Sequence, residues 1–226
     1  AHCRALNASG LNQGTSGNIS IRHEDGMLIS PTSIPYGTMT AEDVVFVDGQ
    51  GVPSGRHAPS SEWRFHLDIL RERKDVNAVV HAHPTFCTTL AIYSKPIPAI
   101  HYMIAVFGGT TIRCAPYEIY GSQALSNVTV AALRGRKACL LAHHGMITVG
   151  STIEQAFWLA EELETLARQY HGALQLGDPP WLSDTQIQDV IAKINGYGLS
   201  DAKPRVLTDD MQIETLETLG GETHEL

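Results

Sequence analysis

Two histidine clusters stand out as the residues whose types and spacing could do chemistry: His81-Ala82-His83 and His143-His144-Gly145. Each closes an apolar run, the first reading as a buried strand over 77–83 and the second following a strand over 138–142. Residues two apart on a strand project to one face, so His81 and His83 can reach a single ion. Imidazole suits Zn²⁺, and a catalytic zinc commonly keeps three protein ligands and one open position. The third ligand is expected from the second cluster. Adjacent strand residues point to opposite faces, so only one of His143 and His144 should contribute. A lone His-x-His is a weak signal, but two clusters at strand ends reinforce one another. His2, His23, His57, His66, His101 and His171 gain no such support, and His66 reads as a hydrogen-bonded core residue of a helix.

A second group of residues suits an anion. Gln13-Gly14-Thr15-Ser16-Gly17-Asn18 is a small-residue loop entering a strand, where glycines let successive N–H groups turn towards one point. Ser30, Thr32 and Ser33 follow the next strand, and Ser60 and Ser61 stand at an expected helix N-terminus. Three such loops can hold a phosphate without a lysine, although each alone reads equally well as a turn or a cap. Glu62 comes directly after the serines, where its carboxylate would lie beside a bound substrate's reacting carbons.

The elements that must position these groups alternate irregularly. A helix tail ends at Gly10, and strands over 19–22 and 27–30 form a hairpin around Glu24-Asp25-Gly26. A short strand covers 44–47. A helix capped by Ser60 or Ser61 buries Trp63, Phe65, Leu67, Ile69 and Leu70. Pro84 stops the strand ending at His83, and further elements are a helix over 85–92, a strand over 112–115 and a helix over 121–133. Thr152 with Gln155, and Ser183 with Gln186, are capping-box patterns opening a long helix towards Leu176 and a last one that stops at Gly196. This order predicts one α/β domain with a mixed, largely antiparallel sheet covered by helices. A dinucleotide fold is disfavoured, since no G-x-G-x-x-G follows the first strand.

Length and composition agree. The chain has 226 residues, 43% hydrophobic and 18% charged, enough for one substantial core. Its net charge of -8 with scattered Lys and Arg argues against nucleic acid, and no apolar run would span a membrane. No leader peptide is evident, and the absent initiator methionine predicts a few residues before Ala1. Cys3, Cys87, Cys114 and Cys139 form no C-x-x-C pair and read as reduced thiols of a cytoplasmic protein, with Cys87, Cys114 and Cys139 in apolar contexts that suit the core.

Taken together, these stretches resemble the class II aldolase/epimerase family. The matching segments are 10–18, 59–66, 79–83, 98–105, 114–117 and 143–145, in unbroken order over about residues 5–200. Within that family the likeness lies nearest the branch acting on fuculose phosphate. It implies a three-layer α/β/α domain over 1–200, an acidic tail over 201–226, and a homotetramer with active sites between subunits. The metal, Zn²⁺ with Co²⁺ or Mn²⁺ as alternatives, maps onto His81, His83 and His144, with Glu62 as a further ligand before substrate arrives. The phosphate site maps onto Gly17, Asn18, Thr32, Ser33, Ser60 and Ser61; Ser33 stands where glycine is expected. A neighbouring subunit would supply Tyr102 and Tyr197.

The implied reaction is reversible cleavage of a 1-phosphoketose, such as L-fuculose 1-phosphate or a related deoxy-sugar phosphate, to dihydroxyacetone phosphate and an aldehyde. Tyr102 would take the C4 hydroxyl proton and Glu62 would protonate C3 of the enediolate, whose charge a divalent ion stabilises. Related enzymes on the scaffold are pentulose-phosphate 4-epimerases and thio-sugar-phosphate dehydratases. The epimerases carry Asp at the position of Glu62 and another near 101–107, where this chain has none. Adducin-like interaction domains lack the metal histidines that are present here.

Overall fold

The computed structural model describes residues 1–194; Tyr197, Gly196 and the segment 201–226 lie outside the described residues. Eight strands form one sheet: β1 (Asn18–His23), β2 (Gly26–Ile29), β3 (Val45–Val47), β4 (Pro53–Ser54), β5 (Ala78–Ala82), β6 (Arg113–Ala115), β7 (Ala138–Leu141) and β8 (Gly145–Gly150). Their order across the sheet is β4-β3-β2-β1-β5-β8-β7-β6. Among the described residues only β6 and β7 pair in parallel; the other strand pairs are antiparallel.

Alternation along the strands divides the core into two layers. Val80, Ala82, Leu140 and Met146 pack with α1 (His2–Ala8), α3 (Thr85–Ile92), α5 (Ile153–Leu174) and α6 (Asp184–Ile194). Val79, Cys139, Ile147 and Val149 pack on the other face with α2 (Trp63–Glu72) and α4 (Gln123–Ala132). The expected three layers and mostly antiparallel sheet are therefore present. His81 shares the face of Val79, so its ring points into the layer beneath α2.

Capping chemistry sets several helix starts. Ser183 and Gln186 exchange both capping-box bonds, at 3.2 and 2.8 Å. Thr152 Oγ1 accepts from Gln155 N, but the Gln155 side chain reaches back to Ser151 N instead of Thr152. The expected serine cap on α2 is not formed. Glu62 occupies the N-cap position, and Ser60–Glu62 make a turn in which Glu62 N donates to Ser60 Oγ at 3.3 Å. That turn directs both serines to a cleft.

Strand β8, in the interior of the sheet between β5 and β7, is absent from the sequence expectation. It is buried along its whole length, so it shows none of the apolar–polar alternation that marks a half-exposed strand.

Candidate metal and anion site

Three chain segments deliver four side chains to one point. His81 comes from β5, His83 from the residue after its end, His144 from the β7–β8 turn, and Glu62 from the start of α2. Their ligand atoms all lie within 4.8 Å of one another. Glu62 Oε2 is 3.1 Å from His81 Nε2, and Glu62 Oε1 is 3.1 Å from His144 Nε2. His83 Nε2 stands 2.9 Å from His81 Nε2.

The turn separates His143 from His144, not the strand pleat that the sequence suggests. β7 ends at Leu141, and His143 takes a left-handed conformation at φ 54° while its N–H donates to Ala91 O. The His143 side chain is exposed on the cleft wall and stays outside the cluster. Gly145 is needed for the same packing, because a Cβ there would lie 2.5 Å from Ala82 O and 2.6 Å from the His83 ring.

The donor set fits a divalent cation. His81 Nδ1 lies 2.9 Å from Met146 O, an acceptor, so the ring carries its proton there. A neutral His81 ring then turns a bare Nε2 lone pair towards Glu62 and His83. Glu62 Oε1 is buried without an aligned hydrogen-bond donor, despite the nearby His144 nitrogen. Several lone pairs converging with too few protons leave room for a positive charge. Burial pushes the Glu62 carboxyl up, but the His81 and His144 imidazoles beside it, wherever they carry the extra proton, outweigh burial and hold the group far below the usual carboxylate range. Burial, helped by His81 and His144, lowers His83 to about 3, keeping its ring neutral and able to ligate.

A cleft of about 400 Å³ opens beside the cluster, and Gly17, Asn18, Thr32, Ser33, Ser60 and Ser61 all line it together with Thr15 and Ser16. None of the described residues lining it is Lys or Arg. Its two sides are tied by Ser60 N donating to Ser30 O and Thr32 N donating to Ala58 O, both at 3.1 Å. Gly17 has φ +61°, and a Cβ would meet His81 O and Asn12 Oδ1 at 2.9 Å. Ser33 adopts φ 59° as a non-glycine residue.

Comparison with known proteins decides what this arrangement belongs to. Residues 1–171 match the family described as Class II Aldolase and Adducin N-terminal domain. The chain belongs to the class II aldolase family. It is 50% identical over 198 residues to the L-fuculose phosphate aldolase of Escherichia coli (strain K12), covering 87% of this chain and 92% of that protein. It is 49% identical over 195 residues to a 5-methylthioribulose-1-phosphate/5-deoxyribulose-1-phosphate aldolase of Rhodospirillum rubrum, covering 86% and 88%. A solved L-fuculose 1-phosphate aldolase superposes with a TM-score of 0.83 at 36% identity, over 85% of this chain and 92% of the other. The protein is a metal-dependent lyase.

In this aldolase, Gly17, Asn18, Thr32, Ser33, Ser60 and Ser61 line the cleft and Glu62, His81, His83 and His144 form the cluster, while Ser30 lies outside the cleft lining and accepts from Ile19 N, and Tyr197 lies outside the described residues. Tyr102 is 47% exposed at the start of a short 3-10 helix and does not line the cleft of this chain. Several contributing residues escaped sequence reasoning. Tyr36 is buried and its hydroxyl donates to Gly17 O at 2.5 Å, while Asn12 Oδ1 accepts from Ser16 Oγ. Tyr117, Glu118 and Tyr120 form the far wall. That wall is held close by Gly121, whose Cβ would meet Ser61 O at 2.7 Å, and by Arg64 donating to Gly121 O.

Proposed function

We propose that this aldolase reversibly cleaves a 1-phosphoketose to dihydroxyacetone phosphate and an aldehyde, with L-fuculose 1-phosphate or a related deoxy-sugar phosphate as substrate. The observation that carries this reading is the contiguity of the Glu62–His81–His83–His144 cluster with a cleft lined by hydroxyl and amide groups. Zinc is the proposed metal, since three imidazoles and a carboxylate oxygen form a zinc-type donor set. His81, His83 and His144 would hold it. Such an ion supplies Lewis-acid stabilisation of negative charge on the ketose oxygens.

Glu62 is the proposed acid/base. Kept ionised, it suits removal of the C3 proton of dihydroxyacetone phosphate in the synthetic direction, and by microscopic reversibility it returns that proton on cleavage. Gly17, Asn18, Thr32, Ser33, Ser60 and Ser61 would bind the phosphate and fix its distance from Glu62. Tyr102 and Tyr197 are proposed to serve a neighbouring subunit of a homotetramer, Tyr102 taking up the C4 hydroxyl proton. Its exposed ring, outside the cleft of its own chain, supports that role.

A panel of 1-phosphoketoses, coupled to detection of dihydroxyacetone phosphate, tests the function. It should include L-fuculose 1-phosphate, 5-deoxyribulose 1-phosphate and 5-methylthioribulose 1-phosphate, since relatives are named for all three. Dihydroxyacetone phosphate is expected from at least one. Its absence from every member, with metal-loaded protein that binds inorganic phosphate, sinks the reading.

A further inference from the structure

A string of buried hydrogen bonds runs from the core to Glu62, and it begins at two residues, Ser20 and His66, that no part of the proposed chemistry uses. Ser20 Oγ lies 2.8 Å from His66 Nδ1, His66 Nε2 lies 2.5 Å from Asn18 Oδ1, and Asn18 Nδ2 lies 3.0 Å from Glu62 Oε2. Relative exposure is 1% for Ser20, 0% for His66, 4% for Asn18 and 6% for Glu62, so water does not compete. Two periodicities build it. Asn18 and Ser20 are two apart on β1 and share a face, while Glu62 and His66 are four apart at the start of α2.

The direction of every bond follows from one end. An ionised carboxylate only accepts, so Asn18 must turn its amide N–H groups to Glu62. Its Oδ1 then faces His66, whose Nε2 must carry the proton. Burial holds this imidazole neutral, with His66 lowered to about 3, so Nδ1 is bare and the Ser20 hydroxyl donates to it. Asn18 also lines the cleft. Its orientation therefore governs what both Glu62 and an anion in the cleft encounter.

We propose that His66, locked by Ser20, is a positioning residue that holds the Asn18 amide with its N–H pair, and not its carbonyl, towards Glu62 and the anion end of the cleft. This rests on the reading of the cleft as a phosphate site. Without the His66 N–H, Asn18 Oδ1 loses its buried donor. The amide is then free to flip, which sets a carbonyl oxygen against the carboxylate and the phosphate.

Three variants test this in the metal-loaded protein, with inorganic phosphate as the probe in calorimetry and metal content measured in parallel. His66→Phe keeps a ring and removes both nitrogens; His66→Gln keeps an N–H donor. His66→Phe should weaken phosphate binding about tenfold, in the range for a lost buried hydrogen bond, with metal content unchanged. It should raise KM for the sugar phosphate by a similar factor, more than it lowers kcat. His66→Gln should recover most of the loss. Ser20→Ala should move the same way by less, and decides alone should His66→Phe fail to fold.

Parental phosphate affinity in both Ser20→Ala and a folded His66→Phe overturns the proposal. So does an equal loss in His66→Phe and His66→Gln, which would make the role one of packing. A parent protein that binds metal but no phosphate overturns the cleft reading itself, and the positioning role with it.

Discussion

His81 is anchored through Nδ1 to the carbonyl of Met146, 2.9 Å away on the neighbouring strand β8, and this contact aims its Nε2 at Glu62. The anchor fixes both ring orientation and tautomer, as carbonyl partners of metal-binding histidines commonly do. The orientation of His81 within the cluster is thus set by a strand pairing of the sheet.

Metal content should separate the two adjacent histidines. His144→Ala removes a group 3.1 Å from Glu62, whereas His143→Ala alters an exposed side chain outside the cluster. The first should lose metal affinity by more than the roughly 10–100-fold typical of changes around a ligand. The second should keep near-parental metal content. Elemental analysis after dialysis checks both, and equal metal in the two proteins would displace His144 from the ligand set.

Glu62→Gln should slow proton exchange at C3 of dihydroxyacetone phosphate by about 10²–10⁴-fold, the usual contribution of a positioned acid or base. Gln retains the oxygen that accepts from Asn18 Nδ2, so inorganic phosphate should still bind. Deuterium wash-in followed by NMR reports this half-reaction without any aldehyde. Parental exchange in the variant removes Glu62 from proton transfer.

Much of this architecture was legible because its signals are local. The His-x-His pair, the small-residue loops and the capping pairs Thr152–Gln155 and Ser183–Gln186 each lie within a few residues. The missing parts depend on tertiary contact. Strand β8 is uniformly buried and lacks a period to detect. Tyr36 reaches Gly17 across 19 positions, and His66 reaches Asn18 across 48. The i,i+4 relation of Glu62 to His66 was available, as was the i,i+2 relation of Asn18 to Ser20. Only the packing of α2 on β1 shows that the two pairs meet.

Ser33→Gly should stabilise the protein. The left-handed conformation at φ 59° costs a residue with a Cβ roughly 1–2 kcal/mol, partly offset by glycine's greater freedom when unfolded. A net gain of about 0.5–1 kcal/mol is expected, read as a rise in thermal midpoint. If the Ser33 hydroxyl contacts phosphate, affinity for inorganic phosphate falls in the same variant. A lowered midpoint would mean that the hydroxyl, which stands 3.4 Å from Thr32 Oγ1, contributes more to the loop than its backbone conformation costs.

Acid should destabilise the metal-free protein in part through His66. Burial is the main cause lowering its pKa from 6.5 to about 3, with the His81 charge adding and Glu62 opposing. Between those values the unfolded chain binds a proton that the folded chain refuses, so stability falls as pH drops below about 6.5 and the loss is complete near the folded value. At pH 5 this one group accounts for up to about 2 kcal/mol. His83 is lowered to a similar value and titrates over the same window, so a parental curve alone does not isolate His66. The difference between parent and His66→Phe does. Denaturant unfolding of both proteins, with chelator present, should show the parent losing about 2 kcal/mol more than the variant between pH 7.5 and pH 5. Parallel losses across that range would mean that His66 is protonated in the folded protein. The Ser20–His66 bond would then reverse, because a charged ring donates from both nitrogens and Ser20 would become the acceptor, while the bonds from His66 to Asn18 and from Asn18 to Glu62 keep their direction.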